Sequence, residues 1–338
     1  MKKIDAVVED LLQPSDALIN DMAVMKGDIL ILGVGGKIGP SLALLARQAI
    51  ERSGVPRKVI GVSRFSEPGL KEQLEKNGIE THRADLLNEV ELDTLPIVEN
   101  ILYLAGTKFG TTGKESFTWA MNAYLPGRVA EKCRDARIVV YSTGNVYPFS
   151  SLASGGATEE VSPAPLGEYG QSCLGRERIF EHFSSKYEIP LLIYRLNYAN
   201  DLRYGVLVEI AKAVKEQRSI DLNMGHVNVI WQGDANEIAL RSLLHCSLPG
   251  KILNVTGPET ASVRWLAQQF GKIFGKTPLF TGEEQPSSMI SNAAESFRIF
   301  GYPRVSLKKM IELTAEWILQ DGTTIYKPTH FQERSGQY

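Results

Sequence analysis

The stretch Asp28–Glu51 reads DILILGVGGKIGPSLALLARQAIE, and it decides the fold. An apolar run leads straight into Gly33-Val34-Gly35-Gly36-Lys37-Ile38-Gly39, after which apolar residues recur at helical spacing. The order is therefore strand, glycine turn, helix. Glycines let a backbone turn tightly and approach a pyrophosphate, whose charge is stabilised by the unpaired N–H groups of a helix N-terminus. The spacing is GxxGxxG rather than GxGxxG, and Pro40 suits a first helical turn because the N–H it lacks would have no helical partner. Gly33, Gly36, Lys37, Ile38 and Gly39 are the expected dinucleotide-binding residues.

The same alternation continues outward. KVIGVS (58–63), ILYLAG (101–106), IVVYST (138–143) and LLIYRL (191–196) read as strands separated by amphipathic stretches. Strands alternating with helices predict an α/β chain with a doubly wound parallel sheet of Rossmann type. The dinucleotide-binding domain is expected over 28–195, with segments returning to it around 226–256, where VNVIW (227–231) and KILNVTG (251–257) read as strands. A single core rarely grows past roughly 250–300 residues. Residues 196–320, including the helical SVRWLAQQFGKIFG (262–275), are therefore expected to form mainly a smaller C-terminal α/β substrate lobe. Residues 1–27 read as a leader of two short helices, the second running from an N-cap at Ser15 to Gly27. Residues 321–338 form a polar tail expected to be only partly ordered.

Composition narrows the function. The 37 basic and 39 acidic side chains give a net charge of −2 and no basic stripe, which argues against nucleic acid. No apolar run approaches the roughly 18–20 residues of a membrane-spanning helix, and Asp5 and Glu9 stand where a signal peptide would be apolar, so a cytoplasmic location is expected. Cys133, Cys173 and Cys246 lack CxxC spacing and read as reduced thiols. His82, His182, His226, His245 and His330 show neither HxxxH nor HExxH, so no metal is expected; the absence of a GxSxG elbow argues against a hydrolase. At the end of the second strand, Gly61-Val62-Ser63-Arg64 carries no acid for a ribose 2′-hydroxyl. Ser63 and Arg64 thus favour NADP over NAD.

With these residues in view, the chain resembles the NAD-dependent epimerase/dehydratase family, the extended branch of the short-chain dehydrogenases/reductases. The likeness is spread over about 28–320. It includes Asp85-Leu86 after the third strand, Leu104-Ala105-Gly106 closing the fourth, a helix asparagine at Asn122, Ser142-Thr143-Gly144-Asn145-Val146-Tyr147 on the fifth, and Pro165-Leu166-Gly167-Glu168-Tyr169-Gly170. Asn254-Val255 and Gly301-Tyr302-Pro303 resemble the family's C-terminal lobe. The resemblance implies a nicotinamide dinucleotide in the first lobe, contacted also by Asp85, Leu86, Leu104, Ala105, Gly106 and Asn197, and a substrate, often a sugar nucleotide, in the second. It implies a catalytic tyrosine at Tyr169, an orienting hydroxyl at Thr143 with Ser142 beside it, and Asn122 near the chemistry. It further implies a homodimer through the helices around 115–133 and 168–185.

The pattern breaks at one position. The family places a lysine four residues after the tyrosine, on the same helical face, where it lowers the phenol's pKa; here that residue is Cys173. A phenol with a reference pKa of ~10 is ionised about one part in a thousand at pH 7, so an unassisted Tyr169 forfeits up to ~4 kcal/mol of base strength. The candidate replacements for that cation are the oxidised nicotinamide ring itself, Arg176 two helical turns beyond Tyr169, and Lys108 and Lys114 around the glycine- and threonine-rich segment after the fourth strand. After the sixth strand, Arg195-Leu196-Asn197-Tyr198 brings the asparagine one residue early, leaving Asn197, Tyr198 and Arg203 as candidate pocket residues. Trp119 and Tyr124, flanking Asn122, are candidate substrate contacts, although aromatics at such helical spacing more often belong to the core. Two functions follow: an NAD(P)-dependent epimerase/dehydratase or oxidoreductase acting on a sugar-derived carbinol by transient hydride transfer, or a non-catalytic NAD(P)-binding sensor or regulatory protein.

Overall fold

The computed structural model describes residues 2–108, 113–325 and 327–337. Its centre is one parallel sheet built from β1 (Ile29–Leu32), β2 (Val59–Ser63), β3 (Glu80–Arg83), β4 (Asn100–Tyr103), β5 (Arg137–Thr143), β6 (Leu191–Leu196) and β7 (Lys251–Val255). The spatial order is β7-β6-β5-β4-β1-β2-β3, every neighbouring pair parallel. β1 and β4 are wholly buried, as strands covered on both faces must be, which is why β1 and the 101–103 part of β4 read as unbroken apolar runs. The order reverses between β1 and β4, and such a reversal opens a crevice at the strands' carboxyl ends.

The helices that build the two lobes and the site are α1 (Lys2–Leu11), α2 (Asp16–Val24), α3 (Gly39–Ser53), α4 (Glu115–Trp119), α5 (Leu125–Lys132), α6 (Gly167–Tyr187), α7 (Val206–Glu216), α8 (Gln232–Ser242), α9 (Val263–Phe274) and α10 (Leu307–Leu319), with short helices also at Leu70–Lys76, Glu89–Asp93 and Ala294–Phe300. α2, α3 and α8 cover one face of the sheet through Leu18, Leu42, Ala46 and Ile238. α5 and α6 cover the other through Val129 and Phe180. A separate core between α7, α9 and α10, with Val214, Leu266, Phe270 and Met310, makes the second lobe. The leader joins both: Ile4 lies in the second core, while Leu18 and Met22 lie in the first.

Three expectations change. Ser15 caps α2, accepting from Leu18 N–H, but the helix ends at Val24, because Met25 turns extended and buries its side chain in the first core. VNVIW is not one strand: His226–Val227 pairs antiparallel with Ala261–Ser262, and Ile230–Trp231 pairs parallel with Ala199–Asn200. Asn228 separates the two, donating to Glu259 O and Thr260 Oγ1. The polar tail is packed rather than loose. Ile325 N–H donates to Arg203 O at 2.8 Å, Thr329 Oγ1 to Glu209 at 2.8 Å, and Phe331 is 1% exposed in the second core. Arg334 then donates to Ser287 O at 2.7 Å and lies 4.2 Å from the Phe149 ring. The tail thus runs from the second lobe across to the segment after β5.

Candidate active site

The glycine loop leaves β1 with Gly33 and Val34 both donating to Val62 O on β2. Gly33 has φ +89°, and a Cβ there would lie 2.8 Å from Ala105 N; one on Gly39 would lie 2.2 Å from Val34 O. These two glycines are required by the loop's own packing against β4 and α3. Gly36 differs: it is exposed, and a Cβ would meet only Gly33 O at 3.4 Å. Its open side, at the N-terminus of α3, is a cradle that fits a dinucleotide pyrophosphate. Ser63 lies against Gly35, whose Cβ would fall 2.4 Å from Ser63 Oγ. Arg64 is exposed at the end of β2, 4.0 Å from Asp85, whose carboxylate accepts from Leu87 N–H. Leu104 N–H donates to Leu32 O, which holds the loop after β4 against β1. Lys37 departs from the loop: its Nζ donates to Ala199 O at 3.2 Å and stands 3.7 Å from the Tyr204 ring, where burial pushes it down to about 7. The backbone of Lys37 belongs to the loop, while its side chain ties the loop to the second lobe.

At the carboxyl end of β5, Thr143 Oγ1 donates to Asn145 Oδ1 at 3.0 Å and accepts from Asn145 N–H. Tyr169, in the first turn of α6, is hydrogen-bonded to both Thr143 and Cys173. Burial raises the phenol well above its ordinary value, the Cys173 thiol pushes the same way, and Arg176 and the Thr143 bond oppose them. Cys173 is 0% exposed, and burial pushes its thiol up too. Ser142 does not join this group. Its hydroxyl is donated to Glu177 inside α6, one pleat below the strand end that Thr143 occupies.

Asn122 is a hydrogen-bonding hub. It sits in a five-residue π turn, Ala120–Tyr124, whose widened winding aims the side chain inward. Its Oδ1 accepts from Thr107 N–H at 2.9 Å and Arg176 Nη2 at 2.7 Å; its Nδ2 donates to Thr107 O at 2.9 Å and Ser172 Oγ at 3.0 Å. Arg176 also donates to Tyr141 O at 2.8 Å and lies directly under Gly106, where a Cβ would fall 2.2 Å from its Nη2. Trp119 and Tyr124, expected in the core, are exposed; the inward-facing position of this turn is taken by Asn122, and Tyr124 is 55% exposed.

Asn197 is buried, donating to Met289 O at 3.3 Å and lying against Gly144. Tyr198 has φ +46° and reaches Met289 Sδ, while Arg203 faces Asp201 at 3.8 Å. Sequence reasoning missed a buried network beneath the site. Arg195, 1% exposed on β6, donates to both oxygens of Glu177 at 2.9 and 2.6 Å and to Tyr147 Oη at 2.6 Å. Tyr147 in turn donates to Asn254 Oδ1 at 2.9 Å. The available signal was an arginine inside the apolar run LLIYRL, which a buried strand tolerates only with a partner. Between α7 and the tail lies a cavity of about 380 Å³ lined by Arg203, Tyr204, Glu209, Lys212, Arg218 and Lys327 among others. Among the described residues, no group of His, Cys, Asp or Glu is arranged to hold a metal, and no helix is long and apolar enough to cross a membrane.

The sequence profile of the NAD dependent epimerase/dehydratase family matches residues 29–200. Among solved structures, UDP-glucuronic acid 4-epimerase from Bacillus cereus, in complex with UDP-glucuronic acid and NAD, superposes with TM-score 0.70 at 22% identity, covering 87% of this chain and 99% of its own. UDP-glucose 4-epimerase from Thermotoga maritima, with UDP-glucose, gives 0.68 at 16% identity, covering 87% and 99%. The Thermus thermophilus UDP-glucose 4-epimerase complex with NAD gives 0.68 at 18%, covering 86% and 98%. No curated protein sequence matches significantly. At these identities the likeness is one of fold.

Proposed function

The chain belongs to the NAD dependent epimerase/dehydratase family, and from that premise we propose that it is an NAD(P)-dependent enzyme that acts on a nucleotide sugar by transient hydride transfer at a carbinol carbon. The observation that carries this reading is the hydrogen-bonded pair Thr143–Tyr169 at the carboxyl end of β5, on the same sheet edge as the glycine cradle. When bound, the dinucleotide supplies the hydride acceptor. Thr143 orients the substrate hydroxyl, and Tyr169, once ionised, takes its proton as the C–H hydride departs. Gly36 and the N-terminus of α3 hold the pyrophosphate. Ser63 and Arg64 admit NADP as well as NAD.

Charge supports a nucleoside diphosphate as the substrate's handle. The cavity beside α7 is lined by Arg203, Lys212, Arg218 and Lys327 and by the carboxylate of Glu209; Arg203 and Arg218 also face Asp201 and Glu216, and Lys212 donates to Thr324 Oγ1. Phe117, Trp119 and Tyr124, exposed along α4 and the π turn, support a homodimer through this face. A sedimentation run showing a monomer at micromolar concentration refutes that pairing. A second reading has its own observation: burial, with Cys173 beside the ring, holds the Tyr169 phenol well above its ordinary pKa, as suits a dinucleotide sensor that leaves the phenol protonated. Titrating NAD and NADP separately, then analysing UDP-sugars for epimer or dehydrated product, separates the readings. Product formation supports the enzyme; tight binding without product supports the sensor.

A further inference from the structure

We propose that Lys108 is the cation that serves Tyr169, reaching the phenol from the loop after β4 instead of from the helix position that Cys173 occupies. The inference rests on the enzyme reading above and names a positioning residue for it. Lys108 Nζ stands 5.6 Å from the centroid of the Tyr169 ring and donates to Thr329 O of the tail at 3.4 Å. The stretch that leads into it, residues 104–107, is fixed. Leu104 is bonded to β1, and Thr107, the residue before Lys108, is gripped through both its N–H and its C=O by Asn122. Asn122 is fixed in turn by Arg176 and Ser172 of α6, the helix that bears Tyr169. The π turn therefore registers the Lys108 loop against the Tyr169 helix.

Arg176 also draws the Tyr169 phenol down, but from a fixed place: it spends its two terminal nitrogens on Tyr141 O and Asn122 Oδ1, beneath Gly106. Lys114 is exposed immediately before α4. The charged and titratable groups facing Lys108 come from four elements: Tyr169 and Cys173 of α6, Glu209 of α7, Lys37 of the glycine loop and His330 of the tail. Burial brings the Lys108 ammonium down to about 8, with Cys173 and Glu209 holding it up, so it is largely protonated at neutral pH. Cys173 fits the same picture. A lysine there would add an ammonium to a pocket that already holds Lys108 and Arg176, whereas a buried thiol fills the space without charge.

The test uses the full chain with NAD added and compares wild type with Lys108→Met, Lys108→Arg, Tyr169→Phe and the double variant Lys108→Met/Cys173→Lys. Tyrosinate absorbance is followed against pH, the Tyr169 step being taken by difference from Tyr169→Phe. A cation this close lowers such a midpoint by about 1–3 pH units, so Lys108→Met raises it by at least about one. UDP-sugar turnover at pH 7 then falls about tenfold or more and its pH profile moves alkaline, while Lys108→Arg keeps most activity and Cys173→Lys restores part of what Lys108→Met loses. Equal midpoints in wild type and Lys108→Met, or a Tyr169 that ionises in neither within the range where the fold holds, overturn the inference. Turnover absent from the wild type on every UDP-sugar refutes the enzyme reading instead, and the absorbance step still decides the role of Lys108.

Discussion

Replacing Arg195 with methionine probes the buried network that holds the site's strands and helix together. The guanidinium is 1% exposed and makes a two-pronged contact with Glu177, itself 0% exposed, plus a bond to Tyr147 Oη. Methionine fills much of the volume but leaves the Glu177 carboxylate enclosed with the Ser142 hydroxyl as its remaining side-chain partner. Removing one member of a buried pair costs about 3–5 kcal/mol, because the other charge stays desolvated and uncompensated. With a urea slope of about 3 kcal/mol per M, the unfolding midpoint drops by about 1–1.7 M. The double variant Glu177→Leu/Arg195→Met removes both charges and recovers most of the loss, since an apolar replacement of a whole pair is often neutral or stabilising. Urea melts followed by circular dichroism measure all three proteins. A single variant within about 1 kcal/mol of wild type, or a double variant as weak as the single, refutes the reasoning.

The remaining predictions concern the loop, its lysine and the tail. Gly36→Ala folds with an unchanged melting temperature, because a methyl there meets only Gly33 O at 3.4 Å, yet it weakens dinucleotide binding about tenfold or more by filling the cradle; fluorescence titration beside a thermal melt separates the two effects. Lys37 is lowered from its ordinary 10.5 to about 7, so the folded chain binds fewer protons than the unfolded chain between those values. The resulting penalty is absent above about 10.5, grows as pH falls and is complete below about 7. Stability therefore rises with pH across that window, and urea midpoints of Lys37→Met should lack that part of the slope. Arg334→Ala removes the bonds to Ser287 O and Asn223 O that anchor the end of the tail. Limited proteolysis should then cut the C-terminus faster while the urea midpoint of the rest of the chain holds.

The sheet and the glycine loop were legible because physics writes them locally. Ile29–Leu32 is covered on both faces and so reads as an unbroken apolar run, Leu191–Leu196 reads as one interrupted by Arg195, and Gly33 and Gly39 mark close backbone approaches that a Cβ would block. Tyr169 and Thr143 were legible through the spacing of a family pattern. What was not legible depends on distant partners. Glu177 looks in sequence like any helix-surface acid, and only the crossing of β6 beneath α6 reveals its partner Arg195. Ser142 and Thr143 are adjacent and chemically alike, yet strand geometry sends one to Glu177 and the other to Tyr169. The tail reads as polar because Arg334, Thr329 and backbone groups do much of its anchoring, and the buried Phe331 stands without apolar neighbours at a regular spacing.

The most direct test of the central claim mixes the protein with NAD or NADP and a set of UDP-sugars, and follows nicotinamide reduction in a single turnover beside product analysis, in wild type and in Tyr169→Phe. The account predicts substrate-dependent reduction and a changed sugar in the wild type, both lost in Tyr169→Phe although the variant still binds the dinucleotide. Reduction and product that persist undiminished in Tyr169→Phe, or a wild type that binds the dinucleotide and transforms no sugar, contradict it.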